Sequence, residues 1–202
     1  MRDDLTAILM ILDRSGSMEP LTDDTVGGFN NFINEQKAQP GDALVTLVLF
    51  NHEYEVVYNA KPIGQVEQLT AKKYNPGGNT ALLDAIGRGS YDLGKELSEI
   101  DEKGRPGKVI VVIMTDGHEN SSKEYKRDRI KKIVEEQTGK YSWSFLFLGA
   151  NIDAFAEAGG IGVGAAHTMN FVANADGIRR SLRMVGASVS AFRSGGSSKL
   201  KN

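Results

Sequence analysis

The chain has 202 residues, with 24 lysine and arginine residues against 26 aspartates and glutamates, a formal net charge of -2 and no cysteine. This balance excludes a general nucleic-acid or anionic-membrane binder, which needs a basic surplus or a basic face, and the missing cysteine excludes disulfides and thiolate metal sites. A hydrophobic content of 40% over this length predicts a single domain with a substantial core.

The N-terminal Met1-Arg2-Asp3-Asp4 puts two acids ahead of an apolar run of about eight residues, too short and too acidic for a signal peptide or a membrane span. With the absence of cysteine this makes cytoplasmic the expected location. From about Leu5 to Leu12 the sequence is almost continuously apolar, the pattern of a central parallel strand covered on both faces. It ends in Asp13-Arg14-Ser15-Gly16-Ser17, where a carboxylate and two hydroxyls alternate at the point a buried strand stops. That spacing suits hard oxygen ligands aimed at one cation, and equally a helix cap. Thr22-Asp23-Asp24 then offers a cap and an acidic first turn for a helix carrying Val26, Phe29, Phe32 and Ile33. Gly27-Gly28 inside it points to close backbone packing near the site or to an irregular turn.

Ala43 to Phe50 and Tyr54 to Tyr58 are apolar runs separated only by Asn51-His52-Glu53. A parallel crossover needs a dozen or more residues, so this pair is predicted to be an antiparallel hairpin with its second strand at a sheet edge. A polar loop over Lys72 to Asn79 leads to Thr80 and then to Leu82, Leu83, Ile86, Leu93 and Leu97, a helix with one apolar face. Thr80 lies at or just before its start, where an N-cap threonine is the ordinary explanation. Val109 to Met114 is the most apolar stretch and reads as a second doubly covered parallel strand, ending in Thr115-Asp116-Gly117. Asp13 and Asp116 therefore share the carboxyl edge of one sheet, where open α/β sheets bind ligands. Beyond lie a helix through Ile130, Ile133 and Val134, a strand over Trp143 to Leu148, a short helix at Ala154 to Ala158, a strand at His167 to Phe171, and a last helix with Ile178, Leu182, Val185 and Val189 on one face. Residues 194–202 read as a flexible tail by composition.

Asp13-x-Ser15-x-Ser17 after the first strand, Thr80 at a middle helix, and Thr115-Asp116-Gly117 after the fourth strand together resemble the metal-ion-dependent adhesion site of the von Willebrand factor A domain family. The resemblance covers residues 1–193 as one domain. It implies a Rossmann-like three-layer α/β/α sandwich, with a mostly parallel sheet ordered 3-2-1-4-5-6 and one antiparallel edge strand. It implies also that Ser15, Ser17 and Thr80 supply hydroxyl oxygens to Mg²⁺, with Mn²⁺ or Ca²⁺ as alternatives, while Asp13 and Asp116 act directly or through waters. In the family a partner protein's Asp or Glu completes the metal's coordination, so the implied function is metal-dependent protein binding by a domain monomeric on its own. Among the family's branches the chain resembles the compact bacterial intracellular type.

Two other classes compete. Strand-end aspartates with Mg²⁺ also build phosphoryl hydrolases, but here Ser-x-Ser follows the first aspartate instead of a second carboxylate, and no nucleophile and base pair stands out. The expectation is therefore not an enzyme. The other alternative is a subunit of an ATPase-containing assembly of the chelatase or stress-response kind. Gly89 to Lys95 imitates a phosphate-binding loop, yet Glu96 stands where Ser or Thr belongs and the stretch falls in a helical pattern. Gly160 to Gly164 precedes a strand and reads as a loop. His118, Glu119 and Asn120, directly after Asp116, are placed to rim a metal or contact a partner but read first as an ordinary solvated loop, His52 reads as a turn residue, and His167 as the start of a strand.

Overall fold

The computed structural model describes residues 1–200. Its six strands, β1 (Arg2–Asp13), β2 (Asp42–Phe50), β3 (Tyr54–Pro62), β4 (Pro106–Thr115), β5 (Ser144–Ala150) and β6 (Thr168–Phe171), form one sheet in the order β3-β2-β1-β4-β5-β6. Every neighbouring pair is parallel except β2 and β3, which form the antiparallel edge hairpin. The helices are α1 (Thr22–Lys37), α2 (Ala71–Tyr74), α3 (Leu82–Glu99), α4 (Arg127–Tyr141), α5 (Ala154–Gly160) and α6 (Ala175–Arg193).

The apolar runs form central strands because alternate side chains enter separate cores. From β1, Ile8, Met10 and Leu12 pack with Phe29, Phe32 and Ile33 of α1 and with Ile178, Leu182, Val185 and Val189 of α6. Ala7, Leu9 and Ile11 face the other way, toward Leu82 and Ile86 of α3, Ile130 and Val134 of α4, and Ala154 and Ala158 of α5. The same division recurs on β4, with Ile110, Val112 and Met114 in the first core and Val109, Val111 and Ile113 in the second. A one-residue slip of either strand would exchange the two cores, so register is tightly specified.

Several local expectations change. Between β1 and α1 the chain makes a short 3₁₀ turn, Gly16–Leu21, and Thr22 is the first residue of α1 instead of its cap; its hydroxyl donates to Glu19 O at 2.8 Å. Gly28 does mark close packing, but against the last helix: a Cβ there would meet Leu182 Cδ1 at 2.4 Å, whereas Gly27 faces open space. Lys72-Lys73-Tyr74 is helical, not loop, in the four-residue α2, because Thr70 caps it by accepting from Lys73 N and Tyr74 is wholly buried beneath it. His167 closes a 3₁₀ turn, Ala165–His167, and β6 starts one residue later. The segment after α6 is fastened at the amino end of β5, where Ser198 Oγ and Ser144 Oγ share a hydrogen bond of 2.5 Å, Leu200 N donates to Ala166 O at 3.0 Å, and Leu200 is buried in the first core. Lys201 and Asn202, the end of the expected tail, lie outside the described residues. The stretch Gly89 to Lys95 is interior helix, and Gly160 ends α5, with Ile161 to Gly164 forming the loop that leaves it.

Candidate metal centre

Strand order reverses between β1 and β4, so the chain leaves β1 toward the face of α1 and leaves β4 toward the face of α4. The crevice this opens at the carboxyl edge contains Asp13 and Asp116. Three loops line it and are tied together through main chain. Arg14 N donates to Phe50 O at 2.7 Å, Gly77 N to Arg14 O at 2.8 Å, and Gly16 N to Gly78 O at 3.0 Å. Asn51 completes the seam, its Nδ2 donating to Gly77 O at 2.6 Å and its carbonyl accepting from Ala81 N at 2.8 Å. Gly78 has φ +74°, a backbone conformation that favours glycine, and a Cβ there would stand 2.1 Å from His52 Nδ1 and have to displace that ring.

Asp13 is wholly buried. Its Oδ1 accepts from Ser15 N at 2.7 Å and its Oδ2 from Thr115 Oγ1 at 2.5 Å, while its carbonyl accepts the phenol hydrogen of Tyr74. Ser15 Oγ and Ser17 Oγ lie 3.2 Å apart, and Ser17 Oγ donates to Asp116 Oδ1 at 2.7 Å. Ser15 does occupy the N-cap of the 3₁₀ turn, but its hydroxyl makes no capping bond. The buried Thr80 precedes α3, whose N-cap is Ala81 and carries no side-chain cap. Gly117 brings the sets together: a Cβ on it would lie 3.2 Å from Thr80 Oγ1 and 3.7 Å from Ser17 Oγ. All five oxygen-bearing residues singled out in the sequence thus border the crevice.

Charge here is uncompensated by protein. Burial pushes the Asp13 carboxyl up to about 6, against the opposing hydrogen bonds from Thr115 and Ser15, and the neighbouring Asp116 adds to the rise. Burial also raises Asp116, opposed by the Ser17 hydroxyl. Among the described residues neither aspartate is ion-paired, and Arg14, the nearest arginine in sequence, turns away to Glu55 at 2.7 Å and Glu53 at 3.5 Å. No cluster of three or more His, Cys, Asp or Glu side chains suited to a metal occurs among the described residues. The donor set is instead two carboxylates and three hydroxyls, hard oxygens that fit Mg²⁺, Mn²⁺ or Ca²⁺ and not a soft ion.

Sequence reasoning missed some contributors. Tyr74 anchors the Asp13 carbonyl, yet a lone aromatic in a polar stretch gives no such signal. Glu119 and Asn120 are not merely solvated: Glu119 Oε2 accepts from Leu83 N at 2.9 Å and Asn120 Oδ1 from Thr80 N at 2.9 Å. His118 and His52 are exposed.

No family model matches the chain, and no curated protein does. Solved structures do. Proximal thread matrix protein 1 from the mussel byssus superposes with a TM-score of 0.63 at 13% identity, over 92% of this chain and 46% of that one, and a form of it has a zinc-occupied MIDAS motif, the metal-ion-dependent adhesion site. A von Willebrand factor type A protein from Catenulispora acidiphila gives 0.59 at 15% identity, over 92% of this chain and 42% of that one. The manganese-loaded TRAP protein of Plasmodium vivax gives 0.58 at 14% identity, over 85% and 70%. The chain spans less than half the length of the mussel protein. At these identities the likeness establishes the fold, which is that of von Willebrand factor A domains.

Proposed function

We propose that this chain is a divalent-metal-dependent protein interaction module, in which Asp13, Ser15, Ser17, Thr80 and Asp116 hold Mg²⁺ and a partner's Asp or Glu side chain completes the site. The observation that carries this reading is a pair of buried carboxylates that, among the described residues, make no ion pair, bordered by two hydroxyls on the loop after β1 and a third on the loop before α3. Two carboxylates balance a divalent ion and the hydroxyls are neutral, so the bound ion keeps its attraction for one more anionic oxygen. Two structural neighbours, one with a zinc-occupied MIDAS motif and one loaded with manganese, support a metal at this place in the fold. The chain's own residues orient the donors: Thr115 and the Ser15 amide fix Asp13, and Ser17 fixes Asp116.

Among the described residues no helix is long and apolar enough to cross a membrane. A module of this kind, monomeric alone and recruited by an acidic partner inside the cell, is the reading we adopt over a phosphoryl hydrolase or a subunit of an ATPase-containing assembly. The test is calorimetric titration of the ion-stripped protein with Mg²⁺ and Mn²⁺, beside an Asp13→Ala variant. Stoichiometric binding lost in the variant is expected, and a wild type that takes up neither ion sinks the metal site. A phosphatase screen with Mg²⁺ then separates the classes, since turnover above background would replace binding by catalysis.

A further inference from the structure

Thr80 is fixed from the far side of the crevice. Its N–H donates to Asn120 Oδ1 at 2.9 Å, and its carbonyl accepts from Asn120 N at 3.0 Å and Ser121 N at 3.2 Å. Both polar backbone groups of this one residue are therefore held by a segment 40 positions away. That segment is itself locked to the start of α3. The Glu119 carboxylate accepts from Ser121 N at 3.0 Å, Ser122 N at 2.7 Å, Leu83 N at 2.9 Å and Ser122 Oγ at 2.7 Å. Reciprocally, the Asp84 carboxylate accepts from Lys123 N at 2.8 Å, Glu124 N at 3.0 Å and Tyr125 N at 2.8 Å. The Asp116 loop and the entry to α3 thus form one unit, and Asn120 is the member of it that grips Thr80.

Resting on the metal-site reading above, we infer that Asn120 is a positioning residue that sets the Thr80 hydroxyl against Asp116 and so gives the site a preference for Mg²⁺ over Ca²⁺. Asn120 is exposed and its carbonyl oxygen is occupied by Thr80 N, so it acts through Thr80 and not as a ligand. Gly117, lacking a side chain, leaves Thr80 Oγ1 its place at the crevice. Mg²⁺ demands short, near-octahedral contacts, whereas Ca²⁺ accepts longer and irregular ones. A hydroxyl whose backbone is clasped at both polar groups keeps the tight geometry; a loosened one suits the larger ion equally well.

The experiment is calorimetric titration of the ion-stripped full chain with MgCl₂ and CaCl₂ for wild type, Asn120→Ala, Asn120→Asp, Thr80→Ala and the Thr80→Ala, Asn120→Ala double variant, with thermal unfolding of each ion-free protein. Asn120→Ala is expected to weaken Mg²⁺ binding ~10-fold, the usual scale for an outer-shell partner, and Ca²⁺ binding by less than about threefold. Asn120→Asp keeps the acceptor for Thr80 N and is expected to keep the wild-type Mg²⁺:Ca²⁺ ratio. In the Thr80→Ala background, adding Asn120→Ala should change Mg²⁺ affinity by less than about twofold, because the ligand it positions is gone. An unchanged ion ratio in a folded Asn120→Ala, a lost ratio in Asn120→Asp, or an undiminished effect in the Thr80→Ala background overturns the inference while leaving the metal site standing. A wild type that binds neither ion overturns both.

Discussion

Ser17 Oγ donates to Asp116 Oδ1 at 2.7 Å, joining two loops 99 residues apart in the chain across the switch point of the sheet. Among the described residues this is the only hydrogen bond between side chains that crosses from the Ser-x-Ser loop to Asp116, and it engages two oxygens of the proposed ligand set. Ser17→Ala removes one donor of the cradle while deleting a half-exposed hydrogen bond worth about 1 kcal/mol. The expected outcome is a small drop in ion-free stability, on the order of 1 kcal/mol by denaturant unfolding, and at least ~10-fold weaker Mg²⁺ binding, as for loss of a coordinating-sphere contact. Equal affinity in the variant would remove Ser17 from the ligand set.

The pH dependence follows from Asp13. Its carboxyl is raised by burial to about 6 in the folded chain, so between the ordinary carboxylate range and pH 6 the native state binds more protons than the unfolded state. The stability contributed is therefore full below the unfolded value and is lost as pH rises through 6, by ~3 kcal/mol for this group. Asp116 shifts in the same direction. Ion-free protein should lose stability from about pH 4 to 7, an Asp13→Asn variant should show a flatter profile, and the rise in Tm given by Mg²⁺ should grow over the same window as protons stop competing for the carboxylates. Tm scans at fixed pH with EDTA or with Mg²⁺ measure all three, and a wild-type profile parallel to that of Asp13→Asn would refute the assignment.

Tyr74 shows how support for the site reaches beyond the motif. The wholly buried phenol donates to the carbonyl of Asp13, and its own ionisation is held well above the usual tyrosine range by burial and by Asp13. Tyr74→Phe keeps the packing and deletes the donor, leaving a buried carbonyl short of one partner. A loss on the order of 1–3 kcal/mol is expected by denaturant unfolding, together with weaker Mg²⁺ binding because the turn at Asp13 is freed. An unaltered midpoint would mean that the carbonyl finds another donor.

Legibility in the sequence followed burial. β1, β2, β4 and β5 could be read because strands covered on both faces must be apolar throughout, and the three-residue link at Asn51-His52-Glu53 left only a hairpin for β3. The ligand candidates were legible because they follow strand ends that hydropathy locates. What could not be read depends on pairings across the chain: Asn120 on Thr80, Glu119 on Leu83, Tyr74 on Asp13. The segment after α6 misled for the same reason. Its glycines and serines signal freedom, while Ser198 and Leu200 find Ser144 and Ala166 only once the sheet exists.

Gly78 provides the sharpest separation of strain from crowding. At φ +74° an alanine pays the left-handed cost of about 1–2 kcal/mol, and its Cβ would also overlap the His52 ring, 2.1 Å from Nδ1. His52 is exposed, so its ring has room to swing out, and most of the penalty should come from the backbone. Gly78→Ala is expected to destabilise by ~2 kcal/mol, and His52→Ala added to it should restore less than half of that. Because Gly78 O accepts from Gly16 N inside the Ser15 to Ser17 loop, the same change should weaken Mg²⁺ binding, and His52→Ala should not recover it. Denaturant unfolding and ion titration of the two variants read these separately, and full recovery of stability by His52→Ala would show that crowding by the ring, not the left-handed backbone, makes glycine necessary there.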